Sequence, residues 1–327
     1  MTGGPLQSFP PLGLGAAAFG GLYSAVSAAD ALATLAAAVE AGIGYIDVAP
    51  MYGLGRAEHL VGHYLRELAP EGTTVRLSTK VGRLMARSRP GRALPPEPKR
   101  NPFDTGWHDG LNFREVFDYS HDGIMRSFDD SQQRLGLPEI DLLFVHDIGR
   151  LTHGDRHDAH WRDLTTGGFR ALAELRDAGL IGGFGLGVNE TAVVKDAMGE
   201  ADLDCCLVAG RYSLLDRQAE PLIAMARARG VGIVIGGVFN SGILAGGPAK
   251  FDYVDAPPEI RARVAEMSRL CAEFEVPLGA AAVQFPRRNP GVTSVLVGAR
   301  TARDVTEASG WSDMAIPEEL WSLLEAV

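Results

Sequence analysis

The sequence predicts a single α/β domain over residues 1–327, closed as a (β/α)8 barrel with long loops at its C-terminal face. Three observations lead there. Eight short apolar segments recur along the chain, each followed by a helix or a helix-bearing connection. Strands this apolar, alternating with helices, belong to a parallel sheet covered on its outer side. The length of 327 residues suits an α/β barrel, and no shift in composition marks a second domain. The competing architecture is an open doubly wound sheet with a glycine-rich first turn. Leu12-Gly13-Leu14-Gly15 resembles the start of that turn, but the third glycine is misplaced and no acidic residue follows the second strand at the required place.

The elements follow in order. Pro10-Pro11 leads into a strand at 12–15 that ends in a glycine turn. Ser27 caps a helix rich in Ala, Leu and Val, and Gly42 stops it. Residues 43–47 read as a buried strand. Residues 56–68 form an amphipathic helix with Leu60, Val61, Tyr64, Leu65 and Leu68 on one face. A third strand spans 74–80. The alternation then pauses at 83–115, a stretch rich in Pro, Arg and Gly with aromatics at Phe103, Trp107 and Phe113. It is too long for an ordinary connection, so it is either a functional loop or a disordered one, and its aromatics favour an ordered loop or lid over a linker. The rhythm resumes with a helix capped by Ser120, then a strand at 140–145 ending at His146. A second loop, 147–166, carries His153, His157, His160 and Trp161. Helix and strand then alternate through 167–178, 181–188, 190–198, 203–209, 219–228, 232–235, 259–274 and 293–297. Helices at 302–308 and 317–324 close the chain.

Composition excludes several classes. The formal net charge of -10 argues against nucleic acid or an anionic membrane as partner. No apolar run is long enough for a membrane span, and no signal peptide is read at the N-terminus. Cys205, Cys206 and Cys271 have neither metal-ligand nor disulfide-framework spacing, so a reducing cytoplasm is expected. The Cys205-Cys206 pair reads as two small strand residues. The histidines at 153, 157 and 160 are loosely spaced, and no metal site is expected there; they read as decoration on an exposed loop.

In a barrel, reacting groups gather at the carboxyl ends of the strands. Strand two ends at Asp47 with Tyr52 just beyond, strand three at Lys80, strand four at His146 and strand five at Asn189. A carboxylate, a lysine, a phenol and an imidazole form an acid–base set. Asp47 pairs with Lys80, whose cation stabilises tyrosinate and lowers the Tyr52 pKa. His146 orients the reacting oxygen, and Tyr52 gives or takes its proton. Taken singly, a strand-end Asp often caps a loop, a Lys is often a surface charge, and a His is often a satisfied core residue. Placement at three consecutive strand ends argues for the joint reading.

These residues also carry a resemblance. Tyr45-Ile46-Asp47-Val48-Ala49-Pro50-Met51-Tyr52-Gly53, Leu77-Ser78-Thr79-Lys80 and Asp141-Leu142-Leu143-Phe144-Val145-His146 resemble, in order, the motifs of the aldo-keto reductases. The likeness implies a catalytic tetrad of Asp47, Tyr52, Lys80 and His146 and a nicotinamide cofactor, NAD or NADP. The stretch from Asp118 to Ser127, the run His146-Asp147-Ile148 and the run from Ala209 to Leu215 are similar to the branch holding D-threo-aldose (L-fucose) 1-dehydrogenases and pyridoxal 4-dehydrogenase. That implies oxidation of a cyclic sugar hemiacetal to its lactone. The alternatives are a pyridoxal 4-dehydrogenase, a general aldehyde or ketone reductase, and a non-catalytic cofactor-binding regulatory barrel.

The chain departs from the wider family where the cofactor would lie. Gly236 stands where many relatives place a tyrosine that stacks on nicotinamide, and Ala209 where they place a glutamine. Asn189 remains available to the carboxamide. Gly236, Gly237 and Gly242 permit close backbone approach to pyrophosphate, with Val238, Phe239 and Asn240 in the same segment. Gly298 and Asp304 align with cations that grip a 2′-phosphate in NADP-preferring relatives. An aspartate repels that phosphate but accepts from a free 2′-hydroxyl, so NAD is expected over NADP. Arg300 complicates this, since it could reach a phosphate or stack on adenine. Phe19, Tyr23 and Met51, with the two long loops, are expected to touch a small-molecule substrate. A monomer or weak homo-oligomer would suffice.

Overall fold

The computed structural model describes residues 9–87 and 106–327. Twelve strands and twelve α-helices run in the order β1 (Leu12–Gly15), α1 (Ala28–Glu40), β2 (Tyr45–Asp47), α2 (Arg56–His63), β3 (Arg76–Val81), β4 (Arg83–Arg87), β5 (Phe113–Phe117), α3 (His121–Leu135), β6 (Ile140–His146), α4 (Arg150–His153), α5 (His157–Asp163), α6 (Phe169–Asp177), β7 (Ile181–Val188), α7 (Thr191–Glu200), β8 (Cys205–Ala209), α8 (Glu220–Ala228), β9 (Gly232–Gly236), β10 (Lys250–Phe251), β11 (Val254–Asp255), α9 (Pro258–Glu273), α10 (Leu278–Gln284), β12 (Val292–Gly298), α11 (Ala302–Asp313) and α12 (Glu318–Ala326) among the described residues. Eight of the strands close a parallel barrel in the order β1-β12-β9-β8-β7-β6-β3-β2. The expected (β/α)8 architecture is therefore present.

The barrel has two apolar layers. Tyr45, Leu142, Phe144, Cys205, Leu207, Val234 and Leu296 fill its interior. Phe9 packs against that group, its ring 4.8 Å from Tyr45 and edge-on. The larger cluster lies between strands and helices. Cys205 belongs to the first layer and Cys206 to the second. Neighbouring strand residues face opposite sides, so the two thiols are packing residues separated by the sheet.

Register sets the rim. Asp47 pairs with Ser78, Lys80 with Phe144, His146 with Gly187 and Ala209 with Gly236. The carboxyl ends of β2, β3 and β6 thus stand side by side. Helix caps follow the sequence: the Ser27 side chain accepts from Asp30 N, and that of Ser120 from Gly123 N. Helices α2 and α3 meet tightly at Gly62, where a Cβ would lie 2.1 Å from the Leu135 carbonyl oxygen.

The structure corrects several expectations. The stretch expected as an irregular loop at 83–115 begins and ends in an antiparallel hairpin, β4 with β5, pairing Arg83 with Phe117. Its middle, with Phe103, lies outside the described residues. The second stretch, 147–166, is mostly helical, holding α4 and α5. His153 and His157 are buried in it, not displayed. A small hairpin, β10 with β11, follows β9. Helix α10 was not legible because Gly279, Ala280, Ala281, Ala282 and Val283 are all buried. A helix covered on every side has no polar face to mark a helical period.

Candidate active site

The site is built from the ends of β2, β3 and β6. Asp47 and Lys80 are buried there, their side chains 3% and 2% exposed. Lys80 Nζ donates to Asp47 Oδ2 at 2.7 Å, to the Val48 carbonyl at 3.0 Å and to Tyr52 Oη at 3.1 Å. An ammonium has three protons, so all three are used and the group is fixed. Ser78 Oγ donates to Asp47 Oδ1 at 2.7 Å, and Tyr45 Oη lies 2.8 Å from Ser78 Oγ. The Ser78 proton is thereby taken, so Tyr45 donates to Ser78. Asp47 is held at both oxygens.

Tyr52 Oη accepts from Lys80, which leaves its own proton to point elsewhere. The ring stands 6.2 Å from the His146 ring, at right angles to it, and 5.7 Å from the Trp107 ring. The turn that carries Tyr52 is seated on Gly20. A Cβ at Gly20 would lie 2.2 Å from Gly53 N and 2.5 Å from the Tyr52 carbonyl carbon.

His146 is 5% exposed at the end of β6. Its Nδ1 is buried with no hydrogen-bond partner among the described residues, and its Nε2 lies 3.6 Å from Asp147 Oδ2. The ring proton belongs on Nε2, where it has acceptors to find. Tyr119 Oη donates to the His146 carbonyl at 2.8 Å and lies 2.9 Å from His153 Nε2. A phenol has one proton, so His153 donates through Nε2. Tyr119 thus ties the helical insertion to the strand that carries His146.

The four groups have shifted acidities. Burial raises the Tyr52 phenol, and the Lys80 ammonium pulls it back only in part. Lys80 lowers it as expected, but burial, which the sequence does not show, outweighs that effect and the net shift is upward. Burial pushes the Lys80 ammonium down, but Asp47 and Tyr52 lift it above its ordinary value. His146 is held well below its ordinary value by burial, Arg83 and Lys80, so its ring is neutral.

A cavity opens over these groups. Its empty space, the open mouth included, is about 610 Å³, and Tyr52, Lys80, His146, Asp147, Asn189 and Trp107 are among its walls, with Ala17, Leu22, Met51, Ala209 and Tyr253. Arg83, buried at the base of the β4–β5 hairpin, donates to Met51 Sδ at 2.7 Å, Glu115 Oε1 at 3.2 Å and Asp147 Oδ2 at 2.5 Å. Asp147 has φ +46. A left-handed non-glycine residue costs on the order of 1 kcal/mol and persists only where its surroundings hold it.

The other expected contacts divide. Met51 lines the cavity. Tyr23 is not among the wall residues; its ring lies 6.2 Å from that of Tyr253, which is. Phe19 is not a wall residue: a 3-10 turn, Ala16–Gly20, turns its ring into the core, where it is fully buried. Ala17 of that turn and Leu22 just after it line the cavity instead. Asn189 lines it too, donating through Nδ2 to the Ala209 carbonyl at 3.1 Å. The Val238 side chain is in the core, and the Phe239 ring stands edge-on to Trp311 at 6.0 Å. Gly236 has room beside it: a Cβ would meet Ala209 and Leu207 at 3.6 Å, an ordinary contact.

Sequence reasoning missed Arg83, Asp147, Tyr119 and Tyr253 as site residues. Asp147 directly follows His146, and Arg83 lies three residues past Lys80, so both sit at strand ends already marked. Tyr253 carried no signal, because the β10–β11 hairpin that presents it was not visible.

Two segments suit a dinucleotide. Gly237, Asn240, Ser241 and Gly242 all have positive φ, at +68, +43, +60 and +99. Such turns direct successive backbone N–H groups to one side and cradle anions. The Asn240 Nδ2 amide there is buried without a partner among the described residues, while its Oδ1 takes the Ser213 hydroxyl at 2.6 Å. The other segment is the start of α11, where Thr301 and Asp304 form a capping box. Nothing would obstruct a Cβ at Gly298. Asp304 Oδ2 accepts from Arg300 N at 2.8 Å and Thr301 N at 3.1 Å. The Arg300 guanidinium donates to Leu22 O at 2.6 Å and to both the carbonyl and the hydroxyl of Ser24. The residues present therefore fit a nicotinamide dinucleotide. No group of His, Cys, Asp and Glu among the described residues could hold a metal ion, and no described helix is long and apolar enough to cross a membrane.

Comparison with known proteins agrees with this geometry. Residues 11–327 match the model of the aldo/keto reductase family. The chain is 60% identical over 320 residues to a pyridoxal 4-dehydrogenase of Microbacterium luteolum, covering 96% of this chain and 93% of that one. It is 38% identical over 327 residues to a D-threo-aldose 1-dehydrogenase of a Pseudomonas species, covering 97% and 93%. Among solved structures it resembles an aldo-keto reductase of Bacillus halodurans in its holo form, with TM-score 0.72, 21% identity, and coverage of 97% and 91%.

Proposed function

From the premise that this chain belongs to the aldo/keto reductase family and is an oxidoreductase, we propose that it oxidises a cyclic hemiacetal to its lactone, with Tyr52 as the proton acceptor. Pyridoxal, which closes into a hemiacetal, is the first substrate to test, and an aldose such as L-fucose the second. The sequence reading put the sugar first; the 60% identity to a pyridoxal 4-dehydrogenase reverses that order. The observation that carries the proposal is the fixed chain Asp47–Lys80–Tyr52 opening into the cavity beside His146.

Oxidation of a hemiacetal removes a proton from its hydroxyl and a hydride from the carbon that bears it. A nicotinamide dinucleotide, when bound, supplies or takes up the hydride. The protein's share is the proton. In oxidation Tyr52 reacts as the tyrosinate, which Lys80 Nζ stabilises through its contact with Oη, and it takes the hydroxyl proton to become the phenol. Asp47 holds Lys80 in place. His146, neutral and with its proton on Nε2, donates to the reacting oxygen and orients it. The same groups run in reverse for an aldehyde or ketone. A non-catalytic regulatory barrel gains no support from a site that keeps all four.

Asn189, the turn at Gly236–Gly242 and the start of α11 are the residues that would hold the dinucleotide. We favour NAD. The Asp304 carboxylate, fixed by its own backbone, repels a 2′-phosphate, and the Arg300 donors are committed to Leu22 and Ser24. Cys205, Cys206 and Cys271 are free and buried, which suits a reducing cytoplasm.

The test is to incubate the purified protein with NAD or NADP and pyridoxal, L-fucose or D-arabinose, following absorbance of the reduced cofactor. Turnover of pyridoxal with NAD at the higher kcat/KM is expected. Absence of turnover with all three, in the presence of either cofactor, would reject the reading.

A further inference from the structure

Asp147 is a carboxylate that neither the proton relay nor the cofactor contacts use. It lines the cavity beside His146, with its side chain 12% exposed. Its Oδ2 is gripped by Arg83 Nη2 at 2.5 Å and stands 3.6 Å from His146 Nε2. Its Oδ1 takes no hydrogen bond among the described residues. The backbone at Asp147 is left-handed, with φ +46.

A role as counter-ion alone does not account for this arrangement. Arg83 already meets Glu115 at 3.2 Å, away from the cavity wall. Neutralising one guanidinium asks for neither a left-handed backbone nor a second carboxylate on a cavity wall. The arrangement does fix one carboxylate oxygen and leave the other without a hydrogen bond among the described residues, on a residue that lines the space in which His146 and Tyr52 act. An anion so placed lacks a donor, and a substrate can bring one.

We propose that Asp147 is a specificity-determining residue, its Oδ1 accepting a hydrogen bond from a second donor on the substrate ring, apart from the reacting hydroxyl. In a sugar that donor is a neighbouring hydroxyl; in pyridoxal it is the protonated ring nitrogen. Arg83 is the positioning residue that holds Asp147 for this contact. The site would then select hydroxylated or cationic rings over plain aldehydes. This deepens the functional reading above and rests on it.

The experiment compares matched substrates on the intact enzyme. One pair is L-fucose and 2-deoxy-L-fucose; the other is pyridoxal and its benzene analogue, in which C–H replaces the ring nitrogen. A site built around a polar contact rejects the analogue that lacks it strongly, so a fall of about 100-fold or more in kcat/KM is expected for at least one pair. The pair that falls identifies the donor. Asp147→Ala should narrow that ratio to within about threefold, by lowering turnover of the donor-bearing partner. Should that variant fail to fold, the ratios of the unaltered enzyme still decide. Both pairs turned over within about threefold would overturn this inference and leave the hemiacetal dehydrogenase reading standing. A ratio unmoved by Asp147→Ala would also overturn it. No turnover of any of the four would remove the reading and this inference together.

Discussion

Lys80 Nζ and Tyr52 Oη lie 3.1 Å apart, with the ammonium also 4.7 Å from the centre of the Tyr52 ring. The contact has two opposed effects. Burial makes the phenol a weaker acid, and the neighbouring cation makes it a stronger one. Burial prevails, so Tyr52 is protonated at neutral pH and suits the role of acid as it stands. As a base it must first lose its proton.

A pH dependence of defined sign follows. In the oxidising direction kcat/KM should climb on the alkaline side, because Tyr52 titrates above the ordinary phenol value. In the reducing direction it should fall there. Lys80→Met removes the cation and should carry that limb to still higher pH. Tyr52→Phe should lower kcat by about 10²–10⁴-fold while sparing cofactor affinity. Steady-state profiles in both directions, with a fluorescence titration of the cofactor, measure all of this. A limb that stays in place without Lys80 would count against the pairing.

Gly20 positions Tyr52 without touching substrate. Since a Cβ there would lie 2.2 Å from Gly53 N, Gly20→Ala must push the Tyr52 turn outward. A displacement of about 1 Å at a reacting group costs about 100-fold in rate. The variant should fold, lose kcat by about that factor, and keep its secondary structure by circular dichroism.

Glu58 is a buried structural carboxylate behind the site. It is fully buried, and accepts from Thr79 Oγ1 at 2.6 Å and from Arg134 Nε at 2.5 Å. It joins α2 to β3 and α3. Glu58→Ala strands the Arg134 charge and should cost about 3–5 kcal/mol in urea unfolding. Glu58→Gln keeps acceptor capacity and should cost less. Equal stability of both variants and the parent would show that the network does not hold the helices to the sheet.

Acid stability should depend on His153. Burial and the neighbouring His160 push it down to about 3, so the folded ring is neutral while the unfolded one takes a proton near the ordinary value. Its contribution is intact above that ordinary value and is lost as pH falls toward 3, at up to about 1.4 kcal/mol per pH unit. His146 acts in the same sense. Urea unfolding at several acidic pH values should show this slope, and His153→Phe should flatten it by about one proton.

The sequence by itself determined the barrel and the relay. Eight apolar strands with intervening helices leave few alternatives, and Asp47, Lys80 and His146 stand at the ends of three of those strands. A residue at a strand end is legible because strand register is periodic and local. What only the tertiary structure decided depends on distant segments meeting. Phe19 turns inward because a 3-10 turn intervenes. His153 is buried because α4 and α5 fold its stretch against Tyr119. Arg83 reaches Asp147 across 64 residues of chain, and burial outweighs Lys80 at Tyr52. Desolvation and long-range ion pairs belong to the packed molecule, and no spacing along the chain encodes them.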